Sequence, residues 1–509
     1  MLSRLSATRM PLKRNLRHET VRRTLTSASP ATPKERKKKA HSASSPDEPT
    51  QNVSSGRLAR DLEEYFKPRQ FQKIVDLFPP VLFKRTQTGE RYYLASSERA
   101  KTLAKYVTYG LSPETRLVEV NPGPGLLTKE LLRKMDNLLL YESDERFEPE
   151  LNKLVIPNKK MELRFADFNG HWRQWYMDSM DRGDRLEKML RDLPRHRRWR
   201  DEEVNFRLFS VVGSIRFFKT LINSVAAQKG LFGSGRCEMI LAVPPLFYVH
   251  LTCGNDVGYK LYRCSSVLFQ IFFEYEFIAK IPRKDFLPWP TNPIQRKIQT
   301  QYRRLGLVGT DELYLMRVVP RRDLFDFCLP DNLKLLTFFV SQNLVSRKNR
   351  VIPALERWIP YCGARLILNQ NYVTAPVPKK PVPKKKSSRD SVAFHRSSSP
   401  LRQNDFPERI TIFTEFGELT PSQILTLFNE FVNWPEFRQS PFLQTMEQHY
   451  SRQAYGRQDP LSAAAVVPDD LATVAADGDD DVVTESDAEP LLREATDGTQ
   501  PVVTRRKRS

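Results

Sequence analysis

The chain has 509 residues and a formal charge of +21, from 81 Lys and Arg against 60 Asp and Glu. That length supports two or three domains and a large core, and the basic excess favours a polyanionic partner. No apolar run approaches the roughly 18 residues needed to cross a bilayer. The cysteines, Cys237, Cys253, Cys264, Cys328 and Cys362, make no C-x-x-C pair, so neither a zinc site nor a disulfide framework is indicated.

The first forty residues carry about a dozen basic side chains against only Glu19 and Glu35, with many Ser and Thr. This composition predicts a mitochondrial transit peptide. The alternatives are a basic nucleic-acid-binding arm and a nuclear signal in "PKERKKK". From about residue 61 to 320, short apolar runs alternate with helical patterns, as in an α/β domain. Ala100, Leu103, Ala104 and Val107 form one helical stripe. "LVEV" then reads as a buried strand, "NPGPG" as a turn, and Leu127, Leu131 and Met135 as the face of a helix.

Strand, Gly-rich turn and helix open a Rossmann-like unit, where glycine lets a ligand approach the backbone and free N–H groups face it. Gly123 and Gly125 fit the start of a G-x-G-x-x-G pattern, but Thr128 stands at its third glycine. The loop therefore suits a nucleoside ligand better than a pyrophosphate. "LLLYESD" ends a second strand on Glu142, placed to accept from ribose hydroxyls, and "ELRFADF" is a third strand ending near Asp167.

Residues 170 to 205 are rich in Arg, Asp and Trp with no clean period, which predicts an inserted surface segment. "CEMILAVPPLF" reads as a strand running into a Pro-Pro turn, and His250 beside it as a satisfied core residue. "LFQIFFEYEFIAKIPRKDF" reads as a helix then a strand, and "DELYLMRVV" as the last strand. Beyond about residue 320 the pattern turns helical: Leu336, Phe339, Val340 and Leu344 share a face. "LTPSQILTLFNEFV" carries Thr420 as N-cap, Pro421 in the first turn and Gln423 closing a capping box. A Pro-, Lys- and Ser-rich linker at about 370–405 interrupts this region, and an acidic tail fills about 456–509. The linker cannot bury a core, and the tail and the first 60 residues are expected to be disordered.

In order, "YYLAS", "VEVNPGPGLLTKELL", "YESDERF" and "RFADF" resemble the KsgA-type ribosomal RNA adenine dimethyltransferase family. "VNPGPGLLT", "ESDERF" and "LYLMRVVPRRDLF" are more similar to one branch, the second paralogue of the mitochondrial transcription factor B type. The resemblance implies a Rossmann-like class I methyltransferase domain followed by a smaller helical C-terminal domain. It also implies S-adenosylmethionine as cofactor: Leu94 at the methionine end, Gly123 and Gly125 beneath it, Glu142 on the ribose and Asp167 on the adenine amino group. The partners implied are the mitochondrial RNA polymerase and promoter DNA in the matrix nucleoid, with small-subunit ribosomal RNA as the alternative.

After its fourth strand that family carries Asn or Asp, Pro and an aromatic, which orient and stack the target adenine. Placed on "LAVPPLF", this motif is degenerate: Ala242, Val243, Pro244 and Pro245 supply no side-chain amide. The expectation is a transcription initiation factor with weak or absent methyl transfer; the alternative is an active ribosomal RNA dimethyltransferase. Promoter melting needs phosphate contacts and stacking rings. Arg303, Arg304, Arg321, Arg322, Arg347 and Lys348 are the candidates for the first, with Tyr302 sitting among them, and Phe247 and Tyr248 for the second.

Overall fold

A computed structural model describes residues 60–67, 73, 76–84, 91–233, 235–256, 261–290, 300, 311–368, 395–407 and 409–455. The transit-like start, most of the linker, the acidic tail, Tyr302, Arg303 and Arg304 lie outside the described residues.

Seven strands form the main sheet: β2 (Leu117–Val120), β3 (Asn137–Glu142), β4 (Lys160–Phe165), β5 (Arg207–Val211), β6 (Glu238–Val243), β7 (Phe273–Pro282) and β9 (Glu312–Pro320). Their order across the sheet is β4-β3-β2-β5-β6-β9-β7. The first five are mutually parallel, and β9 runs antiparallel between β6 and β7. A two-residue strand β1 (Tyr93–Leu94) pairs antiparallel with β8 (Phe286–Leu287).

Side chains on successive strand residues enter opposite faces, and both faces are covered, so the central strands carry apolar residues without alternation. Val118, Val120, Leu139, Tyr141, Leu208, Met239 and Leu241 enter one core. Leu117, Leu138, Leu140, Phe209, Ile240 and Ala242 enter the other. The second core takes the predicted stripe Ala100, Leu103, Ala104 and Val107, now on the helix Ser97–Thr108. The first core takes the helices Ile215–Ala227 and Cys264–Phe272, and then continues into the C-terminal helices through Leu336, Phe339, Phe428 and Phe431. The helix Pro421–Asn433 starts with the predicted box: Gln423 N–H donates to Thr420 Oγ1 at 3.2 Å, and Thr420 N–H to Gln423 Oε1 at 3.0 Å.

Three sequence expectations are corrected. The stretch 170 to 205 is not only surface; it contains the helices His171–Asp181 and Arg185–Leu190, and Leu186, Leu190 and Leu193 enter the core. The Pro-Pro pair is not a turn, because Pro244 caps and Pro245 opens the helix Pro245–Thr252. This suits proline, whose fixed φ and missing N–H cost nothing at a helix start. Finally, β5 has no counterpart among the predicted strands. It is buried along its whole length, yet Arg207 and Ser210 break its apolar run. Arg207 is satisfied by Glu238 and by the carbonyls of Val107 and Tyr109 at 2.9 and 2.6 Å.

Candidate functional site

The carboxyl ends of β2, β3, β4 and β5 converge on one edge, the usual place for a ligand in an open α/β sheet. After β2 the chain turns through Asn121, Gly123 and Gly125 with φ of 53°, 58° and 76°. These left-handed angles favour glycine and tolerate Asn. Space also demands glycine: a Cβ on Gly123 would lie 2.9 Å from the ring of Tyr93. The loop is therefore tight against β1 and buried throughout.

Glu142 ends β3 directly beneath this loop and is 0% exposed. Its Oε1 accepts from the N–H groups of Ser143 and Asp144, at 2.7 and 2.9 Å, and from the Tyr93 hydroxyl at 3.3 Å. Its Oε2 accepts from Gly123 N–H at 2.9 Å. Burial pushes the carboxyl up to about 7, while these bonds pull it down. Glu119, in the middle of β2, is pushed up to about 8 by burial and accepts from the Thr128 hydroxyl at 2.8 Å. Thr128, which breaks the dinucleotide pattern, thus serves a core carboxyl.

Asp167 follows β4. Its Oδ1 accepts from Gly170 N–H at 2.9 Å, and its Oδ2 from Arg91 at 3.0 Å and Arg173 at 2.9 Å. The site residues proposed from sequence thus fall on one edge. Gly123 and Glu142 touch directly, and Leu94 is buried on β1 beside Tyr93.

Beyond Asp167 lies a small, shallow cleft, lined among others by Arg91, Asn169, Trp172, Val212 and Ser214. Arg173 and Arg216 lie 4.8 and 4.9 Å from the Trp172 ring centroid. Sequence reasoning missed these residues. Only Asn169 and Trp172 had a signal, as near neighbours of Asp167; Arg91 and Arg216 arrive from other segments.

The sheet order moves the target-base position. Counting parallel strands from the glycine loop, β5 is the fourth and β6 the fifth. The loop to compare with the family's Asn/Asp-Pro-aromatic sequence is therefore Val212-Gly213-Ser214. Ala242, Val243, Pro244 and Pro245 close the next strand instead. Ala242 and Val243 are 0% exposed and pair with Leu315 and Tyr314 of β9. The corrected loop also lacks a carboxamide, a proline and an aromatic. Asn169 supplies the nearby amide, but it already donates to Val211 O at 3.1 Å and accepts from Ser210 Oγ at 2.8 Å.

Two other candidates are corrected by burial. Tyr248 is 0% exposed, donates to His395 O at 2.7 Å, and packs among Tyr275, Phe277 and Tyr314, so no base can stack on it. Arg321 is 3% exposed and donates to the carbonyls of Gln270 and Ser399 at 3.1 and 2.6 Å, so it fastens the chain rather than holding phosphate. Arg322 and Lys348 are exposed, while Arg347 and Phe247 are half-buried.

Residues 93–352 match the family model described as ribosomal RNA adenine dimethylase. The chain is 38% identical over 442 residues to the protein named dimethyladenosine transferase 2, mitochondrial, of Drosophila melanogaster, covering 85% of this chain and 94% of that one. It is 24% identical over 311 residues to the human protein of the same name, covering 57% and 74%. A solved dimethyladenosine transferase from Plasmodium falciparum aligns with a TM-score of 0.37 at 13% identity, over 65% of this chain and 94% of that one. A parallel sheet with an antiparallel strand inserted near its edge, a glycine loop and paired acidic strand ends agree with the sequence match: the chain belongs to the ribosomal RNA adenine dimethylase family.

Proposed function

We propose that this chain is a nucleic-acid-binding factor built on the dimethylase scaffold, acting in mitochondria with the mitochondrial RNA polymerase to open promoter DNA, and that methyl transfer is lost. The observation carrying the second half is the loop after β5. Methylation of an adenine amino group needs an acceptor that orients it and a ring that holds the extruded base. Val212-Gly213-Ser214 supplies neither, and Asn169 is spent on Ser210 and Val211. The net charge of +21 and the arginines around Trp172 support a polyanionic partner. The polymerase, promoter and mitochondrial setting rest on the resemblance to the transcription factor B branch and on the relatives' names.

S-adenosylmethionine is the cofactor of the family. Here Glu142 would be its ribose acceptor and Asp167 its adenine acceptor, but both carboxylates are already bonded within the chain. The residues do not fit the cofactor as they stand, because Glu142 is wholly buried with four donors of the chain upon it, and Asp167 already holds two guanidinium groups.

The family membership itself favours the second reading, an active small-subunit ribosomal RNA dimethyltransferase. Run-off transcription with the mitochondrial polymerase, on closed and on pre-melted promoters, tests the first. Stimulation on closed DNA that shrinks on pre-melted DNA is expected, because unstacking has then been met in advance. Methylation of small-subunit ribosomal RNA by the purified chain, without stimulation of initiation, would reverse the assignment.

A further inference from the structure

We propose that the nucleoside pocket of this protein is filled by its own side chains: the Tyr93 hydroxyl takes the place of ribose at Glu142, and Arg91 and Arg173 take the place of the adenine amino group at Asp167. The proposal rests on reading Glu142 and Asp167 as the family's cofactor carboxylates.

A carboxylate offers about four acceptor positions. Glu142 uses three on Oε1 and one on Oε2, every donor belonging to the chain. Backbone N–H groups are compatible with a ligand alongside. The Tyr93 hydroxyl is a different case: it is a side-chain donor of the kind a ribose hydroxyl would be, and with it in place Glu142 is 0% exposed. Tyr93 is itself 2% exposed and also bonds Ser143 Oγ at 3.3 Å.

A chain of rings seals it from above. Phe147 lies 5.0 Å from Tyr93, Phe78 lies 6.0 Å from Phe147, and Phe83 lies 6.3 Å from Phe78. Phe78 and Phe83 come from the segment preceding β1, and both are buried. A ribose could reach Glu142 only by moving Tyr93 and loosening this stack, which exposes apolar area to water.

Asp167 is closed in a different way. Oδ2 is shared by two guanidinium groups and Oδ1 accepts from Gly170 N–H, which leaves one acceptor position beside two fixed positive charges. A neutral amino donor competes poorly with charge-assisted bonds. Arg91 and Arg173 are 45% and 42% exposed, however, so this closure is the weaker of the two.

Carboxylates held ready for a ligand are commonly under-satisfied in the free protein, and replacing them often stabilises it. Glu142 has the opposite character. In the closed pocket it is a structural acceptor for the glycine loop and for β1.

The test is equilibrium binding of S-adenosylmethionine and S-adenosylhomocysteine to the full chain, its Tyr93→Phe variant, and the triple variant Tyr93→Phe, Arg91→Gln, Arg173→Gln. The wild type should show no saturable binding at millimolar ligand. Tyr93→Phe should improve affinity, and the triple variant should gain about tenfold or more, as expected for several modest bonds released. In parallel, thermal melting of ligand-free Glu142→Gln should fall by several degrees, a readout that does not require any variant to bind.

Saturable binding by the wild type would overturn the proposal. So would an unchanged or raised melting temperature for Glu142→Gln. Failure of the folded triple variant to bind would overturn it too, since closure would then not be what excludes the cofactor. Wild-type binding without methyl transfer would sink this proposal and leave the proposed function standing. Methyl transfer to ribosomal RNA would sink both. A wild type silent towards cofactor and without effect on initiation would sink the proposed function alone.

Discussion

The floor beneath the glycine loop and the rim across the ends of β4 and β5 are built on opposite principles. The floor keeps the residues by which the family is recognised, and they are packed: each residue from Arg116 to Gly125 is buried, and so is Glu142. The rim lacks the family's base-orienting residues and is the less tightly closed of the two, with Arg91 and Arg173 nearly half exposed beside a shallow cleft. A motif that looks like a ligand site can persist because its residues have become mutually necessary. Openness to a ligand lies where the motif has decayed.

Four measurements break or sharpen this contrast, beginning with the largest effect. The folded Glu119 carboxyl sits at about 8, above its ordinary value of 4.5, so the folded form binds more protons between those limits. Its contribution is therefore complete below the ordinary carboxylate range and is lost as pH rises through about 8. Glu119→Gln should flatten that decline, by an amount on the order of 4 kcal/mol across the window, as followed by urea melts at several pH values. Parallel curves for both proteins would mean that the floor is wetter than described.

Gly123→Ala should cost about 2–4 kcal/mol, since it adds a left-handed alanine and presses a methyl on the Tyr93 ring. Denaturant melts check this, and a loss below about 1 kcal/mol would mean that the loop yields easily.

Arg321→Ala should destabilise by about 1–2 kcal/mol, because the carbonyls of half-buried Gln270 and exposed Ser399 lose their donor. The salt dependence of nucleic-acid binding should stay as in the wild type. A shallower slope would return Arg321 to the phosphate-binding surface.

The smallest effect belongs to the exposed pair Arg322 and Lys348. Changing both to Ala should leave melting within about 0.5 kcal/mol of the wild type. The slope of log affinity against log salt should become shallower by about 0.9 for each phosphate of duplex DNA that is no longer neutralised. Identical slopes would make these residues plain solvated surface.

Local pattern made the glycine turn, the helix after it, β3, β4, β9 and the capped helix at Thr420 readable in the sequence. What escaped depends on partners far along the chain. Arg207 reads as a break in an apolar run until Glu238 and the carbonyls of Val107 and Tyr109 are seen to surround it. Missing that strand shifted the count by one and placed the target-base motif at Ala242–Pro245 instead of Val212–Ser214. Glu142 was legible as an acceptor at a strand end. Its occupation by Tyr93, under rings from Phe78 and Phe83, was not, because no spacing rule links those segments. Arg321 failed likewise: a basic pair in sequence says nothing about which member faces inward.

After the Pro- and Lys-rich stretch the chain returns beside β7. Phe277 N–H donates to Arg396 O at 2.7 Å, Ser398 N–H to Tyr275 O at 2.9 Å, and Arg321 reaches Ser399 O. This return covers a strand edge that would otherwise offer free backbone groups to another molecule. It also fastens the chain on both sides of residues 369–394, at the helix Cys362–Leu368 and again at His395. The C-terminal helices share their core with the sheet, so the described chain on either side of that stretch belongs to one hydrophobic core. At Tyr275 and Phe277, β7 therefore gives another molecule no place to add a strand.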